Sequence, residues 1–106
     1  MRMTAPLERV LGAFLADPVA PRYGYDLMKA ARLPSGTLYP LLARLEQQKL
    51  VTSAWETPQQ EGQRPRKYYQ LTGEGIRVAR LELAEASARR QRAPARPGHP
   101  APGSPG

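Results

Sequence analysis

The sequence contains no cysteine. That absence excludes a disulfide framework, a thiolate metal centre and a cysteine nucleophile. Histidine is almost as scarce, with His99 alone, so neither histidine acid–base catalysis nor a multi-histidine metal site is expected. No apolar run approaches the ~20 residues that a membrane-spanning helix requires, and Met1-Arg2-Met3-Thr4-Ala5-Pro6 has no signal-peptide hydrophobic region. The expectation is a cytoplasmic protein without a membrane partner. Acidic residues are the remaining shortage. Nine Asp and Glu stand against 16 Lys and Arg, a net charge of +7, which makes a polyanion the default partner.

What is present is enough for one small domain: 106 residues, 41% hydrophobic and 24% charged, in the range of ordinary globular chains. Five of the 12 prolines and three of the nine glycines fall within Ala93 to Gly106. This stretch has no periodicity and reads as a disordered tail.

Leu7, Val10, Leu11, Phe14 and Leu15 recur at helical spacing and predict an amphipathic helix from Thr4 to Ala16. Thr4 or Ala5 would cap it, Pro6 suits the first turn, and Asp17-Pro18 stops it. A second, short helix follows over Tyr23 to Ala31, with Leu27, Met28 and Ala31 inward. Arg32-Leu33-Pro34 breaks the chain, and Ser35 is placed to cap a third helix running from Gly36 to Gln48, whose inward line is Leu38, Leu41, Leu42 and Leu45. Two helices across a short break predict a helix-turn-helix. Pro40 is irregular there, since it removes a backbone donor inside the helix.

Beyond Lys49 the period changes to two. Leu50 to Glu56 and Arg66 to Leu71 alternate around the polar stretch from Thr57 to Arg64, which predicts a β-hairpin with Val51, Tyr69 and Leu71 inward. Thr72 then caps a fourth helix, from Gly73 to Arg92. Its apolar residues form two adjacent lines: Ile76, Ala79, Leu83 and Ala86, and Val78, Leu81, Ala84 and Ala88.

The predicted class is mainly α with a β-hairpin wing (α+β): a winged helix-turn-helix over residues 1–72, a helix over 73–92 and a tail over 93–106. Three stretches, Tyr23-Gly24-Tyr25-Asp26-Leu27, Ser35 to Glu46 and Arg66 to Gly75, closely resemble the PadR family of bacterial transcriptional regulators. The resemblance implies a homodimer held by the last helix, repression of a nearby promoter and, in some members, a small aromatic effector. The family usually has glycine where this chain has Lys49, so that position must accept a left-handed turn or end the helix differently.

On this reading the third helix enters the major groove of double-stranded DNA. Ser35, Gly36, Thr37, Tyr39 and Arg44 lie on its outer side. Ser35 as a mere cap and Tyr39 as a packing residue are the plain alternatives. Arg64, Arg66 and Lys67 at the wing and Lys29 beside the second helix are the candidate phosphate contacts; a solvated turn is the alternative for the wing. Core packing is the first expectation for Trp55, and the resemblance also allows Trp55 and Ile76 to line an effector pocket. Ile76, Ala79, Leu83 and Ala86 are the expected dimer contacts. No catalytic set, cofactor motif or metal-ligand cluster emerges, so an enzyme is not expected. The function read from the chain is a dimeric repressor at a pseudo-palindromic operator, with release by a small ligand. The alternative is a winged-helix protein-interaction module.

Overall fold

The computed structural model describes residues 3–92; the tail expected at 93–106 lies outside them. Seven elements follow in order: α1 (Ala5–Leu15), β1 (Arg22–Tyr23), α2 (Gly24–Ala31), α3 (Ser35–Gln47), β2 (Val51–Glu56), β3 (Arg66–Leu71) and α4 (Gly73–Arg92). The helices and the hairpin lie where the periodicities put them. β1 is the addition, because two residues are too few to show a period. It pairs Arg22 with Tyr69 and Tyr23 with Tyr68, giving an antiparallel sheet in the order β1-β3-β2.

Thr4 caps α1 by accepting a hydrogen bond from the Leu7 amide at 3.3 Å. Pro6 stands in the first turn, where its missing donor is not needed. Leu7, Val10, Leu11 and Phe14 are buried along one side, and α1 packs on α2, α3 and α4. The core they share includes Leu27, Ala31, Leu38, Leu42, Leu45, Val51, Tyr69 and Leu71, with Met28 and Leu41 partly buried at its edge.

Ser35 does not cap α3. Pro34 occupies the cap position and its carbonyl accepts from Thr37 and Leu38 at 3.0 Å each, while Ser35 is the first helical residue. Pro40 is tolerated for a local reason: the carbonyl it leaves without a donor is that of Gly36, and both residues are exposed, so water can take the bond.

Lys49 adopts the left-handed conformation, with φ 61°. Its amide donates to Glu46 O at 3.0 Å and the Leu50 amide to Leu45 O at 3.0 Å, which is the paired closure of a Schellman motif. The chain thus keeps the turn that glycine would favour and accepts the steric cost of a side chain. Arg32, at the end of α2, does the same with φ 56°.

The start of α4 is fastened to this corner. The Thr72 hydroxyl donates to Lys49 O at 2.9 Å and accepts from the Gly75 amide at 2.9 Å, while the Thr72 amide donates to Leu50 O at 3.0 Å. Gly75 sits directly on the Leu50 carbonyl, where any Cβ would collide with backbone. Further along, Ala79 is 0% and Ala86 6% exposed, with Ile76 and Leu83 partly buried. An ion pair of 2.6 Å between Glu8 and Arg90 joins α1 to α4.

That packing displaces the expected dimer line. Ile76, Ala79, Leu83 and Ala86 are turned toward the chain's own core because α1 needs a partner for its outer side. Of the other apolar line, Leu81 (50% exposed) and Ala84 face out, Ala88 is half-buried, and Val78 packs partly buried against the core.

Candidate nucleic-acid interface

With Leu38, Leu42 and Leu45 buried, α3 presents Ser35, Gly36, Tyr39, Pro40, Ala43 and Arg44 to solvent, and Thr37 half-buried beside them. The only acidic residue of α3 is Glu46. Its carboxylate accepts a hydrogen bond from the Ser53 hydroxyl on β2, which holds it toward the sheet. The outer side of α3 is therefore free of negative charge.

Tyr39 packs against the neighbouring helix and still reaches solvent. It is 43% exposed, yet its ring rests on Gly24 at the start of α2, where a Cβ would come within 3.0 Å of Cε1 and Cζ. Glycine at position 24 lets the helix-turn-helix close with the phenol lodged between its two helices.

The hairpin cations differ in their freedom. Arg64 is exposed near the tip. Arg66 stacks over the Tyr23 ring at 4.0 Å and pairs with Glu56 at 3.4 Å. The Tyr23 hydroxyl donates to the same carboxylate, so part of the Arg66 charge is compensated. That bond holds the Glu56 carboxyl below its ordinary range, with Arg66 adding to the effect; it also holds the Tyr23 phenol above its own, with desolvation adding. Lys67 stands 5.8 Å from the Trp55 ring centre and 5.5 Å from that of Tyr69. Lys29, exposed on α2, lies 5.4 Å from the Tyr25 ring.

Trp55 corrects the expectation of core packing, being 66% exposed. It sits opposite Lys67 in the hairpin, beyond the part of the sheet that the helices cover. Ile76 packs against the core instead and does not line the space around Trp55. That space is a hollow of about 290 Å³ between α3 and the hairpin. Tyr23, Tyr25, Tyr39 and Trp55 wall it, with Tyr69 as its floor and Lys67 at its side. Sequence reasoning missed Tyr23, Tyr25 and Glu56 here. Only the pairing of β1 with β3 brings the first two alongside the hairpin.

Among the described residues no group of three or more His, Cys, Asp or Glu could hold a metal ion, and no helix is long and apolar enough to cross a membrane.

The model of the transcriptional regulator PadR-like family matches residues 13–81. A PadR-like transcription factor from Bacteroides fragilis is 36% identical over 80% of this chain and 84% of its own, with a TM-score of 0.59. A PadR family transcription regulator from Clostridium difficile R20291 is 27% identical over 83% and 97%, with a TM-score of 0.66. The PcaV transcriptional regulator from Streptomyces coelicolor, solved in complex with its natural ligand, is 28% identical over 85% of this chain and 59% of its own, with a TM-score of 0.64. No curated protein matches the chain.

Proposed function

The chain belongs to the PadR-like family of transcriptional regulators, and on that premise we propose that it is a dimeric repressor which reads a pseudo-palindromic operator through α3. The observation that supports this best is the outer side of α3: Ser35, Thr37, Tyr39 and Arg44 lie along it, and its one carboxylate is turned away to Ser53. Such a surface lets a helix approach phosphates without repulsion and leaves hydroxyl and guanidinium donors for base edges. Lys29, Arg64 and Lys67 add phosphate contacts on either side, while Arg66 contributes less because Glu56 shares its charge. Two copies of α3 related by a two-fold axis would meet half-sites about one DNA turn, ~34 Å, apart.

The dimer is proposed to form through the outward line of α4, centred on Leu81. Release by a small ligand is part of the reading, supported by the ligand complex of the similar PcaV regulator.

The test is an anisotropy titration against the DNA upstream of the protein's own gene, compared with random DNA over a range of salt. Preference for the upstream DNA, affinity that falls steeply with salt, and loss of that preference in Arg44→Gln are expected. Equal binding to both DNAs at every salt concentration overturns sequence-specific reading. For the dimer, Leu81→Glu should turn the species seen by light scattering into a monomer. A dimer that survives it removes α4 from the interface.

A further inference from the structure

Two residues on the outer side of α3 are poor helix formers, and the fold requires neither. Pro40 lies inside the helix, which continues around it from Ser35 to Gln47, and its ring removes the amide that would bond to the Gly36 carbonyl. Gly36 stands one turn earlier on the same side. A Cβ added there would meet nothing within 4 Å, and its φ is not positive, so neither space nor backbone conformation calls for glycine. Both residues are exposed. Proline and glycine are the two weakest residues in a helix interior, and no packing of the chain explains them here, whereas Gly24 and Gly75 are each pressed against a neighbour.

Their joint effect is chemical. The Gly36 carbonyl has lost its helical donor, has no side chain beside it, and stands near the start of the helix, open to whatever α3 approaches. It is an acceptor that bears no net charge and is fixed in direction by the helix. The other outward groups differ from it: Arg44 only donates, the hydroxyls of Ser35, Thr37 and Tyr39 turn about their bonds, and the carboxylate of Glu46 is occupied by Ser53. Against the freed carbonyl lies an apolar surface, the Pro40 ring, continued one turn later by the exposed Ala43.

We propose that Gly36 and Pro40 together read one A·T base pair in each half-site: the Gly36 carbonyl accepts from the adenine N6 amino group, and the Pro40 ring, with Ala43, packs on the thymine methyl. This assignment rests on the DNA-binding reading above and names two residues that determine its specificity. In the major groove only adenine and cytosine present an amino donor, and only thymine presents a methyl group. An acceptor beside an apolar surface is therefore matched on both counts by an A·T pair alone. A carbonyl accepts this bond without the repulsion from flanking phosphates that a carboxylate would bring. Helix propensity is sacrificed at the two positions where doing so exposes an acceptor and a ring to the base edges.

Pro40→Ala restores the amide and removes the ring, so stability and reading should move in opposite directions. The urea midpoint of the full chain should rise, because the regained helical bond outweighs the entropy that proline takes from the unfolded chain. The preference for upstream over random DNA, measured by anisotropy, should fall about tenfold, with the salt slope unaltered because no charge has changed. Gly36→Ala should likewise raise the midpoint and lower the preference, by holding the carbonyl off the base edge. The contact is located with upstream duplexes in which single thymines are replaced by uracil, which lacks the methyl, or single adenines by purine, which lacks the amino group. At one pair in each half-site uracil should weaken wild-type binding about fourfold and purine about tenfold, while Pro40→Ala is indifferent to both. A lower urea midpoint in Pro40→Ala makes the proline structural and overturns the base reading. So does an undiminished preference for upstream DNA, or a replacement scan that affects wild type and variant equally at every position. If the wild-type chain has no preference for upstream DNA, the repressor reading falls and the base reading with it; a wild-type preference that Pro40→Ala retains removes the base reading alone.

Discussion

The β2–β3 hairpin has two ends that share one backbone ladder and almost nothing else. At the inner end Val51 faces Leu71, both buried, and the adjoining corner is stitched to α4 by Thr72 and closed over by Gly75. At the outer end Trp55 faces Lys67 and Glu56 faces Arg66, with side chains that are exposed, charged or aromatic. Packing decides the residues at one end. At the other the residues are free to be chosen for what they meet. The inner end should therefore respond to mutation through stability, and the outer end through binding.

The largest effect is expected at the inner end. In Gly75→Ala the added methyl meets the Leu50 carbonyl, which is held by the bond from the Thr72 amide and cannot retreat. Overpacking of this kind costs about 1–3 kcal/mol and outweighs the roughly 1 kcal/mol that alanine gains over glycine inside a helix. Urea unfolding should show a clear fall in midpoint. A rise, as helix propensity alone would give, would show that α4 does not rest on this corner.

Lys49→Gly tests the same corner in the opposite direction. Relieving a left-handed lysine with φ 61° should raise stability by about 1 kcal/mol, read from the same urea midpoint, and should leave DNA affinity changed only by the lost charge. If the midpoint falls, the Schellman turn does not govern the end of α3.

How much of this comparison could be read from the chain depends on distance along it. The inward residues of the hairpin, Val51, Tyr69 and Leu71, follow from alternation within six residues, and the helices follow from spacing within two turns. Thr72 as a cap and Lys49 in a left-handed turn are likewise local. What the chain did not disclose is set by partners far away in sequence. Trp55 looks like core because tryptophan usually is, and only the reach of the hairpin beyond the helices leaves it exposed. Gly75 looks like a weak helix start until the Leu50 carbonyl is placed against it. The two lines of α4 are equally apolar in sequence, and the position of α1 alone decides which is covered. Tyr23 and Tyr25 join the hollow through β1, whose two residues have no pattern to read.

At the outer end the effects move from stability to binding. Arg64→Gln, at an exposed position near the hairpin tip, should leave the urea midpoint within about 0.5 kcal/mol. It should weaken binding to upstream and random DNA alike and reduce the slope of log affinity against log salt by about 0.9. An unchanged slope would mean that the tip does not touch phosphate.

The smallest effect is expected at the limit of the outer end, at Glu56, whose carboxylate ties Tyr23 and Arg66 to the last pair of the ladder. Its pKa is lowered in the folded chain, so the stability from this link is complete above the ordinary glutamate range and is lost as pH falls through and below it. The Tyr23 pKa is raised by the same bond, so that contribution is present below the ordinary tyrosine value and is lost as pH rises through the shifted one. Both groups are open to solvent, which screens the interaction and keeps the effect small. Glu56→Gln should therefore lower the urea midpoint slightly at neutral pH and flatten the pH profile of stability on its acid and alkaline limbs together. If only the acid limb flattens, Glu56 is stabilised by Arg66 without Tyr23, and the outer end of the hairpin is free of β1. If both flatten, the short first strand holds the outer end of the hairpin in place through Tyr23.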